Sequence, residues 1–264
     1  MSGGSSFSWT SLRRGAGGVF VLLVVWELFA RSGLYSQALS PPLEAIGASL
    51  WQMTADGSML RNAASTLGRV LVGLLLACLI GIPLGMLMAR YRAWERFWTP
   101  LVSVLMPIPS LAWVPLFILW FGIGNATMIV VVTYAATFPM IYNVWTGVRS
   151  VSPIWLRAAT AMGAGERALF WKVVIPGSMP YIITGMRLSF GRAWIAVIGG
   201  ELLASPNWGL GRIIFDAKEF LNSSVMLAAL LVIGALGLLF ERVVFQVIER
   251  RTVGRWGMVA GWKK

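Results

Sequence analysis

Besides Glu27 near the end of the stretch 15–30, four charged side chains fall inside long apolar stretches, and they are the first places to look for chemistry. Arg69 lies in the stretch 66–89, while Arg187, Arg192 and Glu201 lie in the stretch 179–204. An ion at membrane depth is costly, so such residues either pair with one another or mark a path for substrate or ions. Arg187 and Arg192 are five residues apart, offset by about 140° around a regular helix. They cannot both face one partner. Either one pairs with Glu201 or a broken helix's carbonyls while the other meets an aqueous cavity, or both are held structurally. A cavity-facing arginine would favour an anion.

No enzyme chemistry is visible. The chain has no histidine and a single cysteine, which excludes a histidine base, a histidine metal ligand and a Cys–His pair. There is no G-x-x-x-x-G-K-[ST] to cradle nucleotide phosphates, and neither G-x-S-x-G nor H-E-x-x-H occurs. Gly163-x-Gly165-x-x-Ala168 matches a dinucleotide fingerprint superficially, but no strand precedes it and no βαβ unit surrounds it. Cys78, amid Leu-Leu-Leu-Ala-Cys-Leu-Ile, reads as a packed, unreactive thiol.

The elements that must hold the buried charges are transmembrane helices. Of 264 residues, 58% are hydrophobic and only 12% charged, which rules out an ordinary soluble globule and a disordered chain. Six stretches have the length and composition of spans: about 15–30, 66–89, 97–121, 126–148, 179–204 and 224–240. Barrel-type alternation is absent. The first stretch follows Arg13 and Arg14 as a signal peptide would, but no clean cleavage site follows, so it reads as an uncleaved helix.

The net charge of +12 suggests a nucleic-acid binder, until the charges are placed. With the N-terminus inside, fifteen of the 22 basic residues fall in cytoplasmic segments and four outside. That bias sets the orientation, with both termini cytoplasmic. Two outer segments, 42–53 and 211–221, have the pattern of short helices lying on the membrane surface.

Two packing signals stand out. Gly73, Ala77, Gly81, Gly85 and Ala89 recur every four residues, a small-residue stripe that lets another helix approach closely. It reads as bundle packing or as a subunit or gating interface. Pro107, Pro109 and Pro115 break or kink the third stretch. Such a bend lines a translocation path or is purely structural.

The segment 149–180 is the most specific. Ser152-Pro153 starts a helix, Gly163 and Gly165 break it, and a second short helix runs to about Lys172, with Pro176 and Pro180 ending it. The result is a cytoplasmic helix–turn–helix with an apolar ridge of Trp155, Leu156, Met162, Leu169 and Phe170. The ridge asks for a protein groove or rests on the inner leaflet.

Here the sequence resembles the permease subunits of bacterial ABC importers, whose hallmark is E-A-A-x-x-x-G-x(9)-I-x-L-P. This chain reads Arg157-Ala158-Ala159-x-x-x-Gly163, nine residues, then Val173-x-Ile175-Pro176. Arg157 replaces the first glutamate. Further support comes from Leu39-Ser-Pro-Pro, Pro107-x-Pro-x-Leu-Ala-Trp-x-Pro-Leu, Leu119-Trp-Phe-Gly-Ile-Gly and Gly200-Glu201-Leu202. The resemblance is to the nitrate, sulfonate and taurine branch, especially taurine and alkanesulfonate permeases.

It implies an all-α, six-span transmembrane bundle of the type I importer permease fold, a single domain over 1–264. The coupling loop would be 149–178, and the periplasmic segments 31–65 and 205–223. It implies a bacterial inner-membrane assembly of two permease copies, two ATPase subunits and a periplasmic binding protein. ATP and Mg would be held by the ATPases, with no cofactor on this chain. Arg157, Ala158, Ala159, Gly163 and Pro176 would couple to the ATPase. Arg192, Arg187, Glu201, Pro107 and Pro109 would belong to a path for taurine or another small sulfonate. An ATPase-independent secondary transporter would show inverted repeats or paired broken helices, and none is found. Nitrate, bicarbonate, an aromatic acid or a pyrimidine are alternative cargoes.

Overall fold

A computed structural model describes residues 9–36, 38–204 and 207–252, and among these the secondary structure is helical with no strand. Three helices form the centre: α3 (Ser58–Arg90), α6 (Asn125–Arg149) and α9 (Ile175–Ala204). Around them lie α1 (Trp9–Arg31), α2 (Leu43–Ala55), α4 (Arg92–Leu105), α5 (Val114–Phe121), α7 (Pro153–Ala161), α8 (Glu166–Leu169), α10 (Leu210–Glu219), α11 (Ser223–Leu239) and α12 (Phe245–Thr252).

The small-residue stripe explains the centre. Gly73 faces Val132, Gly81 faces Met140 and Gly85 faces Val144, with Ala77 wholly buried in the same row. Both numbers rise together, so α3 and α6 run parallel. The stripe's partner is thus a helix of the same chain. A Cβ at Gly85 would lie 2.8 Å from Val144 Cβ and 2.9 Å from the Ile141 carbonyl oxygen. Because one of those atoms is backbone, a rotamer change cannot relieve the clash. Gly85→Leu is therefore expected to lower stability by about 1–3 kcal/mol, read as a drop in the melting temperature of the detergent-solubilised protein. Gly68→Ala, which meets nothing within 4 Å, should leave it unchanged or slightly raised.

Against this pair α9 runs antiparallel to α6. A Cβ at Gly185 would lie 2.8 Å from Asn143 Cβ, and Ser189 Oγ donates to the Ala136 carbonyl at 2.8 Å.

Four helical runs are long and apolar enough to cross a membrane: Ser58–Arg90, Asn125–Arg149, Glu166–Ala204 and Ser223–Ile248. The third sequence stretch is no single rod. Its halves, α4 and Ser110–Phe121, bend by 88° and make a fifth span if counted together. Pro107 and Pro109 sit at the break as expected, whereas Pro115 opens α5 instead of kinking a helix. The first stretch lies in α1, which is not among those runs. Arg13 and Arg14 before its apolar middle, and Glu27 and Arg31 after it, leave that middle short. From Val19 to Val25 it is exposed all round. It is tethered at one end, where Trp26 Nε1 donates to the Pro41 carbonyl at 3.1 Å and Leu43 N donates to Glu27 at 2.9 Å.

Both short helices expected between the spans are present as α2 and α10, and they pack over Met59, Ala63 and Ala229. The second proline pair behaves differently from expectation. Pro176 and Pro180 do not end the loop helix. The chain stays helical from Glu166 to Ala204: a π turn at Phe170–Val174 makes room for Pro176, and Pro180 lies inside regular helix, as prolines in membrane helices are tolerated to do. A second π turn, Phe240–Val244, joins α11 to α12. Of the charges expected on the cytoplasmic side, Arg255, Lys263 and Lys264 lie outside the described residues, as do positions 205 and 206 of the segment expected outside.

Candidate translocation cleft and coupling loop

Prolines 107 and 109 deprive the chain of two backbone donors, and α4 stops at Leu105. The Leu105 carbonyl, which Pro109 cannot serve, accepts from Ile108 N at 3.2 Å and from Tyr134 Oη of α6 at 2.8 Å, the kind of repair that irregular backbone needs at membrane depth. A one-turn 3-10 segment, Ser110–Trp113, follows. Trp113 stacks on Phe117 and tilts against Tyr134, fixing the turn to α6.

Between this break, α6 and α9 lies a cleft of about 230 Å³ lined by Pro107, Pro109, Tyr134, Phe138, Arg192 and Ile195, among others. Tyr134 and Phe138 are near the middle of α6, so the cleft stands near mid-depth of the bundle. Arg192 is exposed there, and no carboxylate among the described residues pairs with it. Pro107, Pro109 and Arg192 are thus brought together.

Arg187 and Glu201 are not at this cleft. Arg187 Nε lies 3.1 Å from Glu241 Oε1, and its guanidinium stands 5.9 Å from the Phe245 ring. It fastens α9 to the second π turn. The partner of Glu201 is neither Arg187 nor Arg192 but Arg69, at 2.6 Å, with the side chains 0% and 5% exposed respectively. Thr66 Oγ1 donates to the same carboxylate at 2.9 Å, and Gly211 N donates to it at 2.9 Å. Arg69 Nε also donates to Asn125 at 2.8 Å. The Thr66 hydroxyl accepts from Leu210 N, and Asn62 accepts from Gly209 N. One buried carboxylate therefore binds α3, α6 and α9 to the first turn of α10. Gly209, at φ +158°, has no room for a side chain, since a Cβ would lie 2.5 Å from Glu201 Cδ. Asn62, Thr66 and Arg69 were missed as a group. Their spacing of four and three residues puts them on one helix face, which was the available signal.

At the other end, α7 begins as expected, with Ser152 Oγ accepting from Ile154 N at 3.3 Å. Gly163 turns the chain at φ +83°, in the left-handed region that favours glycine. Ala159 is buried, whereas Arg157 and Ala158 are exposed. Of the expected ridge, Trp155 and Met162 are exposed, while Leu156, Leu169 and Phe170 are half-buried. Ile154 and Trp171 take their places on the surface. Arg90 Nη2 reaches Glu166 Oε2 at 2.8 Å, tying the loop to the end of α3. Pro176 lies in the first turn of α9, half-buried.

A bundle that holds a broken helix beside a basic mid-depth cleft, and an exposed apolar helix–turn–helix at one end, is built as a membrane transport subunit. Residues 81–253 match the family described as binding-protein-dependent transport system inner membrane component, and the chain belongs to it. It is a non-catalytic permease subunit of an ABC importer. A putative ABC transporter permease protein of Methanocaldococcus jannaschii is 38% identical over 83% of this chain and 84% of that one. The taurine transport system permease protein TauC of Escherichia coli is 33% identical over 85% and 83%. A bicarbonate transport system permease protein, CmpB of Synechocystis, is 29% identical over 85% and 83%. The fold is shared with a chain of the MetNI methionine ABC transporter in an inward-facing conformation. That match has a TM-score of 0.65 at 21% identity, covering 76% of this chain and 97% of the other.

Proposed function

We propose that this permease carries a small anion of the taurine and sulfonate class, and that Arg192 supplies the positive charge on its path. The observation behind this reading is the guanidinium exposed at a mid-depth cleft beside the broken helix. A charge held there has a cost that only a partner or a passing ion offsets. Two copies of the chain form the path in the inner membrane, with α1 as the first of six spans and both termini cytoplasmic. A periplasmic binding protein delivers the anion. Two ATPase subunits, holding ATP and Mg, drive the cycle through the loop 149–178. The residues Arg157, Ala158, Ala159, Gly163 and Pro176 shape that contact.

The exposed Trp155, Met162 and Trp171 support docking in a protein groove, since such side chains gain from burial. Met162, 81% exposed, is expected to be a contact. Met162→Asp should reduce the ATPase that co-purifies with the permease while leaving the permease's own melting temperature unchanged. Undiminished co-purification would remove the loop from the docking surface.

A second cargo has a specific observation behind it: the similarity to permeases named for bicarbonate. ATP-driven uptake of labelled taurine into proteoliposomes holding the permease, its ATPase and its binding protein separates the two. Competition by alkanesulfonate and not by bicarbonate is the expected result. Uptake without the ATPase would overturn the importer reading itself.

A further inference from the structure

Ile195, Gly199 and Leu203 are four residues apart on α9 and share one face. Ile195 lines the mid-depth cleft. Leu203 lines a second cavity of about 300 Å³, with Ile123, Arg212 and Phe215, at the outer end of the bundle. Both side chains are open, 68% and 62% exposed. Between them the face is closed. A Cβ at Gly199 would lie 2.6 Å from Leu111 Cδ1 and 2.8 Å from Cδ2, so the Leu111 side chain sits directly on the α9 backbone.

We propose that Leu111 is the gate between the outer cavity and the Arg192 cleft. This rests on the reading that the cleft belongs to the anion path. An apolar plug excludes a hydrated ion because the constriction dewets, and stripping the ion of water there is uncompensated. Gly199 is what allows the close seat. The turn that carries Leu111 is anchored, by the bond from Ala112 N to the Pro109 carbonyl, 3.0 Å, and by Trp113 on Tyr134, so the part free to move is the Leu111 side chain itself. Swinging that side chain off Gly199 opens the α9 face without unwinding a span.

The test uses thiol accessibility in sealed, outside-out vesicles carrying the assembled transporter. Cys78 is the only cysteine, so Cys78→Ser gives a silent background for Ile195→Cys and, separately, Leu203→Cys. A membrane-impermeant maleimide added outside should modify position 203 and spare position 195. Adding Leu111→Ala should raise the rate at 195 to that at 203 and leave 203 unchanged, which also reports an intact fold. Leu111→Met, of nearly equal volume, should keep 195 protected. Where Leu111→Ala fails to assemble, Gly199→Ala displaces the same side chain and should expose 195. Modification of 195 with Leu111 in place, or protection that survives its removal, overturns the gate. ATP-driven anion uptake by the unaltered complex tests the path reading separately, whatever the thiols show.

Discussion

Replacing Glu201 with alanine is expected to destabilise the permease by about 3–5 kcal/mol, the cost of leaving one member of a buried ion pair without the other. Arg69, 5% exposed, would keep its charge in a dry site. The Gly211 amide and the Thr66 hydroxyl would lose an acceptor, and an unsatisfied buried donor adds about 1–3 kcal/mol. Arg69→Met should cost a similar amount for the mirror-image reason. The double variant Arg69→Met with Glu201→Leu should recover part of the loss, because replacing both ions with apolar groups removes the uncompensated charge. Melting temperatures of the four proteins in detergent close the cycle. Additive losses would show that the two charges act independently, against the geometry. The damage should also be local at first. The pair pins the start of α10, so proteolysis near 207–219 should accelerate before the bundle melts.

The second large effect concerns transport and leaves stability alone. Arg192→Ala should cut ATP-driven uptake of a sulfonate by about tenfold or more, the scale of a lost hydrogen bond to a charged group. Complex assembly and melting temperature should stay at their unaltered values, since Arg192 holds no carboxylate among the described residues. Arg192→Lys should retain part of the uptake, keeping the charge but losing the two-pronged donor geometry. Arg187→Ala should behave in the opposite way. Its contact with Glu241 is part of the scaffold, so the melting temperature should fall more than the uptake. Full sulfonate uptake by Arg192→Ala would remove the residue from the path.

The contrast between these arginines shows what the sequence could reveal. Hydropathy located the helices, and the four-residue recurrence from Gly73 to Gly85 marked a tight helix contact, because period and side-chain size are local properties. The prolines at 107 and 109 foretold a broken helix for the same reason. Which arginine meets which acid was not legible. Arg187 reaches Glu241 and Arg69 reaches Glu201 across separations of 54 and 132 residues, distances set by how the helices stack. Pro176 misled for a different reason. Proline normally ends a helix, but one extra residue in the preceding turn removes the conflict. The exposed ridge of the loop shifted by a few positions because a short helix's facing is set by the elements it packs on, as with the buried Ala159, and not by its own sequence.

The parallel seating of α3 on α6 limits how the bundle can move. If α3 turned about its axis by one residue, about 100°, Val132, Met140 and Val144 would face Leu74, Ile82 and Met86 in place of glycine. The seam therefore resists any roll of α3 about its own axis, because only one of its faces is bare enough to receive the α6 side chains. The α6–α9 seam is as close, with no room for a Cβ at Gly147 beside Tyr181 Cβ, so the same restraint on rolling extends to all three central helices.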